Sequence, residues 1–183
     1  TVCLIGCGLG QQGASAKLFK EVIKKVNCPL IIDADGLNIL SKKPVKLNGK
    51  AIITPHPIEA ARLLNTDAES IISDLKSSAK KLSEKYNCVT VLKTHRTIIC
   101  EGEKIFINEH GNSALAKAGT GDVLAGIIAG LAAQRPEDLF EAARLGVYIH
   151  SRSGEIASRH LTEYSVQASD LLNYMHQAIA EIL

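Results

Sequence analysis

The chain has 183 residues, a formal net charge of +2 and 46% hydrophobic residues, the profile of one ordinary globular domain. Its lysines and arginines are scattered, and three Phe, four Tyr and no Trp leave little for base stacking, so no nucleic-acid groove is expected. The longest apolar stretch, Val123 to Ala133, is too short to cross a bilayer, and no membrane contact is expected.

Thr1-Val2-Cys3-Leu4-Ile5 opens directly as a buried strand with no polar leader, and further chain ahead of it is expected. Short β-branched runs then alternate with amphipathic segments. Val2 to Ile5, Leu30 to Asp33, Ala51 to Thr54 and Val89 to Leu92 read as buried parallel strands. Helices are expected over Gln12 to Val26, Ile58 to Leu64 and Ala68 to Tyr86, the last with Ile71, Leu75, Ala79 and Leu82 on one face. The runs TIIC and KIFI flank Glu101-Gly102-Glu103 and predict a hairpin at the sheet edge. From Gly119 the chain reads as helical: Thr120 to Gln134, Glu137 to about His160, and a last helix capped by Ser169 or Asp170. This βαβα order points to a doubly wound α/β fold. The five cysteines lack CxxC spacing; they read as reduced thiols of a cytoplasmic protein, with neither zinc nor disulfides.

Ligands of an open α/β sheet bind beyond the carboxyl ends of its strands. The segments there are Gly6-Cys7-Gly8-Leu9-Gly10, Asp33-Ala34-Asp35-Gly36, Thr54-Pro55-His56-Pro57-Ile58-Glu59 and Lys93-Thr94-His95-Arg96-Thr97. All are expected to converge on one edge. Gly119, Thr120 and Gly121 start a helix with little side chain in the way, so unpaired backbone N–H groups can face an anion. Asp122 sits in the first turn, where the helix dipole favours its charge and a hydroxyl approaching a phosphoryl group could give it a proton. A plain first-turn acid is the alternative. Gly126 and Gly130 are expected to let this helix pack closely on a neighbour. Asp33 and Asp35 read as a carboxylate pair for magnesium or substrate, or Asp35 as an N-cap. His56, between two prolines, reads as presented outward to a ligand, and His150 as a core histidine.

GTGDVLAG, with Gly111-Asn112 upstream and QASDLL near the end, together with IGCGLG, IIDADGLNIL, ITPHPIEAARLL and VLK, resembles the NAD(P)H-hydrate dehydratases of the ribokinase-like fold. The resemblance covers nearly all of the chain. It implies a three-layer α/β/α domain with a mainly parallel central sheet. Residues 1–183 would be the C-terminal two thirds of a longer domain, lacking its N-terminal strands.

The activity implied is ADP- or ATP-dependent dehydration of hydrated NADH or NADPH, through phosphorylation of the ring hydroxyl and loss of phosphate. Asp122 would be the base, with Gly119, Thr120 and Gly121 holding the transferring phosphate. Gly8, Gly10, His56 and Asn112 would contact the hydrated dinucleotide, and Lys93, Thr94, His95, Arg96 and Thr97 the nucleotide phosphates. Pro55-His56-Pro57-Ile58-Glu59 has the spacing of the superfamily's PNxxE motif, so Glu59, with Asp35, would organise Mg2+ through water, unless Glu59 is only a first-turn acid. The family also implies a homo-oligomer. Cys7 stands where the family usually has proline, and Thr94 where glycine is usual. A ribokinase-like kinase of a small hydroxylated metabolite, and a non-catalytic nucleotide-binding module, remain as alternatives.

Overall fold

The computed structural model describes residues 1–183. Six strands form one sheet in the order β1 (Cys3–Ile5), β2 (Leu30–Ile32), β3 (Ala51–Ile53), β4 (Val89–Leu92), β5 (Ile98–Glu101) and β6 (Lys104–Ile107). The first four are parallel, and β5 and β6 run antiparallel as the expected hairpin. Strand order follows chain order without a reversal, so the topology is wound in one direction and the expectation of a doubly wound sheet is corrected.

The strand pleat explains how both faces are covered. Alternate side chains point to opposite faces: Leu30, Ile32, Ala51, Ile53 and Leu92 face one layer, while Ile31, Ile52, Val89 and Val91 face the other. The first layer holds α1 (Gly13–Lys25), α2 (Asp35–Lys42), α3 (Pro57–Leu64), α4 (Ala68–Ser73) and α5 (Leu75–Tyr86). The second holds α6 (Thr120–Gln134) and α7 (Leu139–Ser165), with α8 (Ala168–Ala180) packed outside them. Each fully buried Ile or Leu contributes about 1.5–3 kcal/mol, and continuous burial of β2, β3 and β4 makes this the stable centre.

Several helix ends depart from the sequence reading. The expected helix from Ala68 to Tyr86 is two, because the Asp74 carboxylate accepts from Ser77 N–H and starts a new helix. Gln167 is the N-cap of α8, and Asp170 completes its capping box from the third helical position. The α7 helix runs past His160 and is broken at Thr162, whose φ of 63° is left-handed. Gly126 and Gly130 face open space; the close helix crossing is made instead by Gly146 of α7, where a Cβ would lie 2.6 Å from Ile128 Cγ1.

Candidate active site

Four loops at the carboxyl ends of the parallel strands meet at the N-terminus of α6. Asp33 ends β2 and is 1% exposed. Its Oδ1 accepts from Lys93 Nζ at 2.7 Å, tying the ends of β2 and β4 across 60 residues of sequence. The ammonium also lies 4.0 Å from Glu59 Oε2 and would be 3.5 Å from a Cβ placed on Gly121. A cation therefore sits against the first turn of α6, beside its unpaired amides. This combination favours anions.

The loop before α6 is held from below. Gly119 takes a φ of 87° as N-cap, a conformation that suits glycine. Thr120 Oγ1 donates to the Leu115 and Lys117 carbonyls, and His150 Nε2 lies 2.9 Å from the Thr120 carbonyl oxygen. Burial lowers the His150 pKa to about 4, so a neutral ring holds this loop. Lys117 Nζ donates to the carbonyls of Glu163, Tyr164 and Val166, fastening the same loop to the end of α7.

On one side of Gly121 opens a cavity of about 650 Å³, lined by His56, Lys93, Thr94, His95, Thr97 and Gly121 together with residues of α7 and the 110–116 segment. That volume suits a nucleotide-sized ligand. On the other side Asp122 is exposed, and its carboxylate lies with Asp33 and the Cys7 thiol in a group whose ligand atoms are all within 4.8 Å of one another. Burial first, then hydrogen bonding to the Asp122 carboxylate and the nearby Asp33 charge, push the Cys7 thiol up to about 12.

The first strand's loop is set by Gly6, whose φ is 130° and where a Cβ would fall 1.8 Å from the Asp33 carbonyl oxygen. This close approach locks the Gly8-Leu9-Gly10 loop beside the β2 turn. Gly8 and Gly10 themselves have φ of 64° and 80° and lie outside the 650 Å³ cavity, while Cys7 of the same loop reaches Asp122 and Gly10 N–H donates to Asp35.

The remaining expected residues divide. His56 lines the cavity, yet its Nδ1 accepts from Ile58 and Glu59 N–H and caps α3, so the reading of a ring free for ligand is corrected in part. Burial lowers its pKa. Glu59 is a first-turn acid of α3, as the alternative reading had it, but a buried one that accepts from His56 N–H in a capping box. Asp35 is not an N-cap: it is the first residue of α2, Ala34 is its cap, and its carboxylate accepts from Gly10 N–H and Gln11 Nε2 at 2.8 Å. The β2-end carboxylate that meets Lys93 and Asp122 is Asp33, while Asp35 is engaged by the Gly10 loop. Asn112 lines the cavity while its side chain caps the Ser113–Leu115 turn and donates to Ser158. Thr94 lies outside the left-handed region and its Oγ1 donates to the Arg96 carbonyl. Arg96 points to a separate shallow depression with Ile72 and Asp74. His110 and Ser151, absent from the sequence reading, line the cavity; no short motif marks them, because their meeting depends on how α7 packs.

The sequence pattern of the NAD(P)H-hydrate dehydratases matches residues 1–177. The chain is 40% identical over 178 residues to the bifunctional NAD(P)H-hydrate repair enzyme Nnr of Moorella thermoacetica, covering 95% of this chain and 33% of that protein. It is 38% identical over 160 residues to the ADP-dependent (S)-NAD(P)H-hydrate dehydratase of Neisseria meningitidis, covering 84% of this chain and 54% of that one. The chain thus spans about a third to a half of these curated relatives. Its fold matches the ADP/ATP-dependent NAD(P)H-hydrate dehydratase of Bacillus subtilis, crystallised with ATP and Mg2+, with a TM-score of 0.88 at 29% identity, over 100% of this chain and 65% of that one. With the strand-end loops, the α6 N-terminus and the family pattern in agreement, the chain belongs to the NAD(P)H-hydrate dehydratase family.

Proposed function

We propose that this chain supplies the catalytic half of a nucleotide-dependent repair enzyme that dehydrates hydrated NADH or NADPH, with ADP or ATP as phosphoryl donor. The observation that carries the reading is Asp122 in the first turn of α6, next in sequence to Gly121, against which the Lys93 ammonium sits. Acid and anion cradle share one rigid helix, so a hydroxyl and a phosphoryl group held there are already oriented.

In this reading the nucleotide occupies the 650 Å³ cavity, with its terminal phosphate at the Gly119, Thr120 and Gly121 amides and Lys93. Negative charge that builds on the transferring phosphoryl oxygens is met by fixed dipoles and a cation. The hydrated ring lies on the Gly8-Leu9-Gly10 side, where Asp122 takes the hydroxyl proton as the oxygen–phosphorus bond forms. Phosphate is a far better leaving group than hydroxide; it departs with the C–O electron pair while the neighbouring ring carbon gives up a proton to solvent, and the new double bond restores the dihydronicotinamide. Lys93 to Thr97 line the phosphate side, with Arg96 outside it.

Magnesium fits the donor set. It demands oxygen ligands and keeps several waters, and Asp33, Asp122 and Glu59 place three carboxylates around the anion cradle. Asp122 and Asp33 would hold it, with Glu59 acting through water. When bound, the cation neutralises charge on the phosphates.

The unit formed by residues 1–183 is one ribokinase-like domain that its relatives extend, a reading supported by its 65% share of the Bacillus subtilis chain. A cytoplasmic setting is supported by five free cysteines, and no helix is long and apolar enough to cross a membrane.

The test is turnover of hydrated NADH by the longest natural form of the protein, with Mg2+ and ADP or ATP, read as the return of reduced-nicotinamide absorbance. Recovery should require nucleotide and fall about 10²–10⁴-fold in Asp122→Asn. Nucleotide binding without recovery would reject dehydration.

A further inference from the structure

Cys7, Asp33 and Asp122 form a group of mixed ligand chemistry that the proposed reaction does not need in full. Phosphoryl transfer uses Asp122, Asp33 holds Lys93, and the two carboxylates are also those proposed for Mg2+, but nothing in the reaction requires a thiol beside them. The three ligand atoms lie within 4.8 Å of one another, and Sγ of Cys7 is 3.9 Å from Asp33 Oδ2. Tetrahedral coordination with one sulfur near 2.3 Å and oxygens near 2.1 Å requires S···O and O···O separations of about 3.6 and 3.4 Å. Small side-chain movements reach that geometry.

An independent feature points the same way. Asp33 is 1% exposed, and Lys93 satisfies only its Oδ1. Oδ2 is aimed into the cluster, where its one contact is the weak thiol donor. A deeply buried carboxylate oxygen whose one donor is a thiol keeps lone pairs directed at any cation that the thiol sulfur also ligates.

We propose that Cys7, Asp33 and Asp122 form a binding site for a thiophilic divalent cation of the Zn2+ or Cd2+ class. Three protein ligands leave a fourth position for water, the usual arrangement of an open zinc site. On binding, the Cys7 proton passes to solvent and the sulfur–metal bond forms without any redox change. The charges of thiolate and two carboxylates are then cancelled by the cation together with Lys93. Magnesium is excluded from this mode, because it is hard, keeps its waters and gains nothing from sulfur. Resting on the function proposed above, the consequence is inhibition: the cation takes the Asp122 carboxylate from the substrate hydroxyl.

The test is calorimetric titration of the purified protein with Cd2+ in the presence of excess Mg2+, alongside the ultraviolet cadmium–thiolate absorption band. Wild type, Cys7→Ser, Cys7→Pro and Asp122→Asn are compared, since four other cysteines are present. One Cd2+ per chain is expected at a site whose affinity falls at least ~10-fold in every variant, with the Cys7-dependent part of the band lost in both Cys7 variants. Turnover inhibition by Zn2+, taken relative to each variant's own uninhibited rate, should weaken in parallel in the Cys7 variants. Affinity and band unchanged by Cys7→Ser overturn the site. A Cys7- and Asp122-dependent site in a protein without dehydratase activity keeps the metal site and discards the function on which the inhibition rests.

Discussion

Removing Lys93 should strand a buried charge, and the size of the effect follows from the burial of its partner. The Asp33 side chain is 2% exposed and its Oδ1 is 2.7 Å from Lys93 Nζ, while Lys93 itself is 20% exposed. Breaking a buried pair by deleting one partner costs about 3–5 kcal/mol. Lys93 opens to solvent on its cavity side, which places Lys93→Met near the lower end, about 3 kcal/mol. For a domain of this size each kcal/mol moves Tm by about 2–4 °C, so a fall of roughly 6–12 °C is expected. The double variant Asp33→Asn/Lys93→Met no longer strands the Asp33 charge, leaving only the more distant Glu59 at 4.0 Å, and should recover about 2 kcal/mol, a coupling visible in a double-mutant cycle. Urea unfolding followed by circular dichroism measures all four proteins. A single variant within about 0.5 kcal/mol of wild type, or an additive double, would refute the role given to this pair.

Gly6→Ala should lower stability by more than about 3 kcal/mol in the same denaturation assay, because its Cβ would meet the Asp33 carbonyl oxygen at 1.8 Å from a φ of 130°. Two helix glycines should respond with opposite signs. Gly146→Ala presses on Ile128 at 2.6 Å and should cost about 1–3 kcal/mol, whereas Gly126→Ala enters open space and should stabilise by about 0.5–1 kcal/mol. Burial holds the His150 pKa at about 4, below the ordinary histidine value of about 6.5. The unfolded chain therefore takes up this proton first, and stability conferred by His150 is present above pH ~6.5 and is lost as pH falls towards 4, by an amount on the order of 3 kcal/mol. His150→Gln should flatten that limb of a stability-against-pH curve; an unchanged limb would assign it to other groups.

The elements most legible in the sequence are those whose burial is continuous. Ile31, Ile32, Ile52, Ile53, Val89 and Val91 announce strands enclosed on both faces, and the hairpin follows from two β-branched runs around Gly102, which takes a φ of 58°. Thr120 to Gln134 was bounded to the residue because Gly119 and Arg135 end the periodic run. Winding direction was not legible, since alternating strands and helices are equally compatible with reversed and sequential orders. Local capping chemistry also competes with periodicity: the apolar face from Ile71 to Leu82 runs across Asp74, and only the Asp74 to Ser77 bond breaks it.

Within the site, Asp122, Gly121 and Lys93 could be read from strand-end position and the glycine turn. The assignment of the acids could not. Asp33 and Asp35 are two residues apart at the end of β2, and which one enters the site depends on the turn at Ala34, whose φ is 48°. That turn sends Asp35 to Gly10 and leaves Asp33 with Lys93. Gly146 against Ile128 shows the same limit in the core, because a glycine's neighbour is set by helix crossing and not by its own sequence.

The most direct measurement is the stoichiometry of a turnover in which hydrated NADH is repaired with ATP, or with ADP, under substrate-limiting conditions. Phosphorylation at the Asp122 and Gly121 site followed by elimination requires one inorganic phosphate and one dephosphorylated nucleotide for every NADH regained, with all three lost together in Asp122→Asn. NADH regained without phosphate release, or a stable phosphorylated product without NADH, would contradict it.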